Sequence, residues 1–216
     1  MIRPANSSVY GAKRPRSGPQ SYKKKMSKLT LRRSPTLKPG FPKLMNFKHK
    51  YNEDFTLFAS TSTGIYFFSC NGMFDPNFSS TGHQPMMFDQ MSVLYDHYTV
   101  VSSKIKWTVI QENNDDTTGT ALLGAREHTT SQNKVSGSVS TDPLVFYQSW
   151  SANKAFGPSP LANNSLQGTP TANPTEQQFY NIVVRAGDQV SAITVRVMVE
   201  IEYTAVWAEP KDVAAS

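Results

Sequence analysis

The most regular hydrophobic pattern in the chain lies near its C-terminus. Ile193, Val195, Val197, Val199, Ile201, Tyr203 and Trp207 all fall on odd positions, with Thr194, Arg196, Glu200 and Glu202 between them. Successive side chains of a strand point to opposite faces, so this rhythm predicts one half-buried strand over 191–207. A weaker form of the same alternation runs from Leu44, where Met45, Phe47, His49 and Tyr51 alternate with Asn46, Lys48 and Lys50. It predicts a long or broken strand over 44–58, followed by a second over 64–70. Between Asn71 and Tyr98 the strand signals lapse, and Phe88, Met91, Val93, Leu94 and Tyr95 allow a short helix. Over 98–112, Val101, Ile105, Trp107 and Val109 share a face opposite Lys104, Lys106 and Thr108. A polar turn over 113–119 and a returning strand over 120–127 follow.

A weak strand is expected near 135–139, an apolar one over 144–150, and another over 178–185. The stretch 151–177, with four prolines and almost no bulky apolar residue, is expected to be a long loop. Loops of that length are usually functional surfaces or disordered. The total is about eight strands with no βαβ alternation, which argues against a parallel sheet. Eight antiparallel strands with long crossing loops predict an all-β, single eight-stranded antiparallel jelly roll. An immunoglobulin-like sandwich fits less well, because the Cys…Trp…Cys framework is missing. Trp107, Trp150 and Trp207 lie in strands and are expected to be core or interface anchors.

Charge divides the chain further. The first fifty residues carry fourteen Lys or Arg and no Asp or Glu, whereas the other 166 hold eight basic residues and all sixteen acids. The overall +6 therefore conceals a strongly basic arm and a mildly acidic body. Prolines at 4, 15, 19, 35, 39 and 42 forbid a regular helix in the arm. Dense like charge also prevents it from burying its own surface. Residues 1–42 are thus expected to be a disordered basic arm, and 43–216 a jelly-roll domain.

Fourteen positive charges without a counter-charge point to a polyanion, since each Lys or Arg that reaches a phosphate releases condensed counterions. The expected nucleic-acid contacts are Arg3, Lys13, Arg14, Arg16, Lys23, Lys24, Lys25, Lys28, Arg32, Arg33, Lys38 and Lys43. Tyr10, Tyr22 and Phe41 supply aromatic faces on which bases of a single strand can stack. The clusters Lys13-Arg14-Pro15-Arg16 and Lys23-Lys24-Lys25 also resemble a two-part nuclear-import signal.

Chemistry of other kinds finds little footing. His49, His83, His97 and His128 are scattered, and Asp89, Asp96 and His97 read as a polar helix face leading into a strand. No nucleophile elbow, P-loop, dinucleotide fingerprint or zinc-hydrolase motif occurs, so no catalytic residue, cofactor or metal is expected. Asp115 and Asp116 form a polar turn; calcium shared with a neighbouring subunit is the alternative. Cys70 is the sole cysteine, which rules out an intramolecular disulfide, and its apolar neighbours predict a buried thiol. No apolar run reaches the ~18–20 residues of a membrane span and no signal-peptide core is present, so a soluble protein of a reducing compartment is expected.

The stretch Cys70-Asn71-Gly72-Met73-Phe74-Asp75-Pro76, with Gly82-His83-Gln84-Pro85 and Tyr95-Asp96-His97-Tyr98-Thr99-Val100, resembles capsid proteins of the circular Rep-encoding single-stranded DNA viruses, the circovirus-like group. The likeness is strongest over 70–110, and the arm departs from that pattern in being rich in Lys where such arms are dominated by Arg. A small RNA virus with a similar coat therefore stays open. The resemblance implies an icosahedral T=1 shell of sixty copies that packages a single-stranded genome. It further implies residence in the virion, passage through the host nucleus by import machinery, and a host receptor. A cellular nucleic-acid-binding β-protein and a lectin-like jelly roll with a basic targeting tail are the competing readings of the same residues.

Overall fold

A computed structural model of the chain describes residues 41–59, 63–78, 82–112, 119–126, 134–139, 142–186 and 192–211, with the backbone alone described in the 119–126 and 134–139 stretches. The alternation found in the sequence becomes the centre of a five-stranded antiparallel sheet. Strand β1 (Leu44–Ala59) pairs along its whole length with β9 (Ile193–Pro210), from Leu44 opposite Ala208 to Ala59 opposite Ile193. On its other side β9 pairs with β3 (Tyr95–Gln111), and β3 pairs with β6 (Leu144–Ser151). A two-residue strand β7 (Gln167–Gly168) adds to β3 near its start.

The second sheet runs β2-β8-β4-β5, built from β2 (Gly64–Ser69), β8 (Phe179–Ala186), β4 (Gly119–Arg126) and β5 (Lys134–Val139). All pairings in both sheets are antiparallel. Apart from β4 with β5 and β6 with the accessory β7, consecutive strands lie in different sheets, with the interleaved orders β1-β9-β3-β6 and β2-β8-β4-β5 of a jelly-roll-like sandwich. The described residues contain nine strands where eight are expected, the extra one being β7.

The inner faces meet in one core. Trp107, Trp207, Tyr51, Tyr203, Phe68 and Ile105 are buried between the sheets, and every odd residue of β9 from Ile193 to Trp207 is at most 1% exposed. Large apolar side chains on both inner faces supply most of the folding free energy, at roughly 25 cal/mol per Å² removed from water. Trp107 and Trp207 are core anchors, and Trp150 closes one end. Cys70 is buried as expected, and desolvation pushes its thiol well above the ordinary range.

One expected register fails. Val101 was placed with Ile105 on the apolar face of β3, but Val101 is only half-buried and Val100 takes the inner position. The pairing with β9 shifts between Val100 and Ser102, so an inserted residue reverses which parity faces the core. Tyr98 and Val100 point inward before the bulge; Ser103, Ile105, Trp107 and Val109 do so after it. The short helix is α1 (Phe88–Leu94), and β3 opens at Tyr95, three residues before the expected start.

The 151–177 stretch also departs from a structureless loop. It contains α2 (Ala152–Phe156), two 3₁₀ turns at Pro160–Ala162 and Asn164–Leu166, and β7. Asn163 caps the second turn by accepting from the Ser165 N–H at 3.0 Å, and the Glu176 N–H donates to Ser165 O at 3.0 Å. Leu166 is the one large side chain this stretch buries fully.

Candidate functional site

Eleven of the twelve expected nucleic-acid contacts, Arg3 to Lys38, lie outside the described residues, as do Tyr10, Tyr22, Asp115, Asp116 and His128. The twelfth, Lys43, is exposed and immediately precedes β1. Two further basic residues of the first fifty, Lys48 and Lys50, belong to β1 itself. Phe41, expected as a stacking face, packs edge-on against Tyr95 with ring centroids 6.4 Å apart, and the Tyr95 hydroxyl donates to Pro42 O at 3.0 Å. Residues 41 and 42 are thus tied to the sandwich.

The outward face of the larger sheet gathers the charges that its inward face excludes. Lys50 on β1 and Lys104 on β3 both lie directly opposite Glu202 of β9, one from each side. Lys48 reaches the same carboxylate at 3.0 Å, and Lys106 bonds Glu200 at 2.6 Å. Farther along, the Arg196 guanidinium forks onto Asp54, with Nε 3.0 and 3.1 Å from the two carboxylate oxygens. The Lys48 ammonium holds the Glu202 carboxyl below its usual value, with Lys50 and Lys104 adding to the effect, and Arg196 does the same for Asp54. Exposed pairs of this kind contribute little to stability, because water screens them. Among the described residues Lys50 and Lys104 make no direct ion pair.

Beside these lysines, β6 presents Tyr147 opposite Lys106, a residue 74% exposed. Lys50, Asn52, Lys104, Lys106, Tyr147 and Glu202 line a shallow hollow across β1, β9, β3 and β6. The expected contact set stopped at Lys43 and missed this grouping. The period-two alternation does put Lys48, Lys50, Lys104 and Lys106 on outward positions, but only pairing through β9 shows that the two strands share a face.

The segment carrying the family resemblance serves another end. Residues 70–76 form a strap over the rim of the sandwich, bound mostly through their backbone. The Tyr98 hydroxyl accepts from the Met73 and Phe74 N–H groups at 3.0 and 3.2 Å. Asn173 Oδ1 accepts from Phe74 and Asp75, while its Nδ2 donates to Asp75 O. Asn71 bridges to the 176–178 stretch by donating to Glu176 O and accepting from the Gln178 N–H. Ser103 and Tyr203 donate to the Cys70 and Ser69 carbonyls, each at 2.7 Å. Buried backbone groups need such partners, so these residue identities answer to folding.

The histidines behave likewise. His49 is fully buried, with Nδ1 2.9 Å from Met86 O and Nε2 accepting from Trp207 Nε1–H at 2.9 Å. Burial lowers its pKa from the ordinary 6.5, so the ring is neutral at pH 7. His83 stacks on Tyr51 with centroids 4.7 Å apart, Asp89 lies in the first turn of α1, Asp96 is 3.8 Å from Lys211 Nζ, and His97 Nε2 is 3.2 Å from Glu209. Among the described residues no cluster of three or more His, Cys, Asp or Glu can hold a metal, and no helix is long and apolar enough to cross a membrane.

The chain matches no protein-family model and no curated protein. Among solved structures, it is similar to a chain of the nora virus structure at a TM-score of 0.45 and 10% identity, over 83% of this chain and 66% of that one. It is similar to the empty head of turnip yellow mosaic virus at 0.39 and 12%, over 98% of this chain and 94% of that one. A BFDV capsid protein in a 60-mer aligns at 0.40 and 8%, over 82% of this chain and all of that one. At TM-scores below 0.5 these likenesses carry no functional argument, and the chain's own strand order and charge distribution bear the interpretation.

Proposed function

We propose that this chain is the capsid protein of a small icosahedral virus of the circovirus-like group. Residues 43–216 form an eight-stranded jelly roll, with β7 as an accessory, and residues 1–42 form a basic arm that packages single-stranded DNA. The observation that carries this reading is the junction at Lys43. A segment with eleven basic residues and no acid leads directly into the edge strand of a sandwich with interleaved sheet orders β1-β9-β3-β6 and β2-β8-β4-β5. Sixty copies would close a T=1 shell around the genome. Self-repulsion among the arms opposes closure of an empty shell and makes the cargo an assembly partner.

The surface of the body supports self-association. Met86 and Val93 around α1, and Phe58 at the end of β1, are 67%, 71% and 60% exposed, apolar surface that contacts between copies in a shell would cover. The two basic clusters of the arm fit nuclear import before assembly, a host receptor would meet the loops of the outer surface, and the assembled protein would reside in the virion. The chemistry is binding alone and needs neither catalytic residue nor cofactor.

Deletion of residues 1–40 tests the division of labour. The truncated protein should stay folded and form shells or pentamer-like pieces under negative-stain electron microscopy, but lose nuclease-protected nucleic acid. A full-length protein that runs as a monomer or small oligomer, with no shell under the microscope, overturns the capsid reading. Full retention of protected nucleic acid after the deletion overturns the role of the arm.

A further inference from the structure

We propose that the outward face of the larger sheet is a second nucleic-acid site, in which Lys50 and Lys104 hold backbone phosphates of a single strand and Tyr147 stacks on one of its bases. The proposal rests on the packaging reading and adds a fixed site on the folded body to the arm. Three observations carry it.

The first is a local charge surplus. At the levels of residues 200–204 of β9, the outward face presents Lys48, Lys50, Lys104 and Lys106 against Glu200 and Glu202. Lys106 is committed to Glu200 and Lys48 to Glu202, which leaves Lys50 and Lys104 uncommitted on either side of Glu202. Their ammonium groups stand on rigid central and edge strands, so a phosphate bound between them requires less ordering than one bound by a free arm.

The second is Tyr147. It lies on edge strand β6 across from Lys106, largely exposed and with no ring partner among the described residues. A base offers a π face of matching size whatever its identity, so stacking there is tolerant of sequence. The third is continuity. The basic arm enters the sandwich at Lys43 and runs into β1, whose outward positions bear Lys48 and Lys50. A duplex fits less well, since its bases are stacked internally and offer Tyr147 no free face.

The test uses the full chain and a fluorescein-labelled single-stranded DNA of mixed sequence, titrated by anisotropy from about 50 to 200 mM salt. Lys50→Gln with Lys104→Gln should lower the log–log salt slope by about 1.4 to 1.8 units, near 0.7 to 0.9 for each lost phosphate contact. Tyr147→Ala should weaken binding about fivefold or more, with Tyr147→Phe close to the parent. Photocrosslinking to a bromouracil-substituted strand should label the peptide containing Tyr147. All three positions are on the surface, and a thermal melt of each variant checks that the fold is kept.

Crosslinks confined to residues 1–42, or slopes and affinities unchanged in both the lysine pair and Tyr147→Ala, overturn the proposal. Loss of shell assembly with DNA binding untouched also overturns it, because the face would then join copies of the chain. The triple change Lys23→Ala, Lys24→Ala, Lys25→Ala separates the two readings. If it reduces the slope while the face variants do not, only the second site fails; if it too changes nothing, the packaging arm fails with it.

Discussion

Strand β9 and the segment from Ser151 to Gln178 are held in place by opposite means. β9 sits between β1 and β3 and buries one full side of its length, so its position follows from apolar area. The 151–178 segment has no periodicity and buries few large groups, yet its turns lock to the rim through Asn163, Asn173, Ser165 and the close approach of Gly168 to Tyr98. The first kind of order tolerates change on its outer side and fails abruptly on its inner side. The second depends on single polar atoms, each modest in energy, and loses stability in small steps.

The sharpest way to break the contrast is a charge on the inner side of β9. Val197→Asp places an unpaired carboxylate in the core and should cost several kcal/mol, whereas Thr194→Asp on the outward side should be tolerated far better. Thermal melting that finds the two variants equally stable would overturn the register of β9.

The segment should respond more gently at its tightest point. A Cβ at position 168 would lie 2.2 Å from Tyr98 Cζ, so Gly168→Ala must push the ring aside, at a cost of about 1 to 3 kcal/mol. Tyr98→Phe removes the acceptor of the Met73 and Phe74 N–H groups and should cost about 1 to 3 kcal/mol. The two sites touch, so urea denaturation of the double variant should show a loss smaller than the sum; strict additivity would place them in separate networks.

Acid should act through His49. Its folded pKa lies below 6.5, so the unfolded chain binds the proton more readily, and this contribution to stability is complete above pH 6.5 and lost as pH falls toward the folded value. The slope reaches at most about 1.4 kcal/mol per pH unit. A protonated ring would turn Nε2, which now accepts from Trp207, into a second donor. Denaturation midpoints between pH 7 and 5 should fall in the parent and fall less in His49→Gln. An unchanged slope would place the acid sensitivity elsewhere.

The smallest effect belongs to the outward face of β9. Arg196→Ala breaks the pair with Asp54, but both side chains are about half exposed. At 0.15 M salt its melting temperature should match the parent within error, while a clear drop would show the pair to be shielded from water.

Much of this molecule was legible in the chain because alternation is a local property. The strands around Val197, Tyr51 and Trp107, the basic arm ahead of Lys43 and the burial of Cys70 each follow from a run of neighbours in sequence. The bulge at Val100–Ser102 was not legible, since it exists only relative to the partner strand β9. The order of residues 151–178 was hidden because its contacts are polar and come from Tyr98, Asn71 and other residues distant in sequence. The role of the 70–76 strap was hidden for the same reason: its short words look like a signature, and only the hydrogen-bond partners show that they close the rim.

By itself the sequence determined the all-β class, the inward side of β9 and the separation of a basic arm from a mildly acidic body, since period-two patterning and net charge need no tertiary partner. Only the tertiary structure decided which strands are neighbours. That pairing set Lys50 and Lys104 on either side of Glu202 with Tyr147 two strands away from β9, because a surface made of four strands has no counterpart in the linear order of residues.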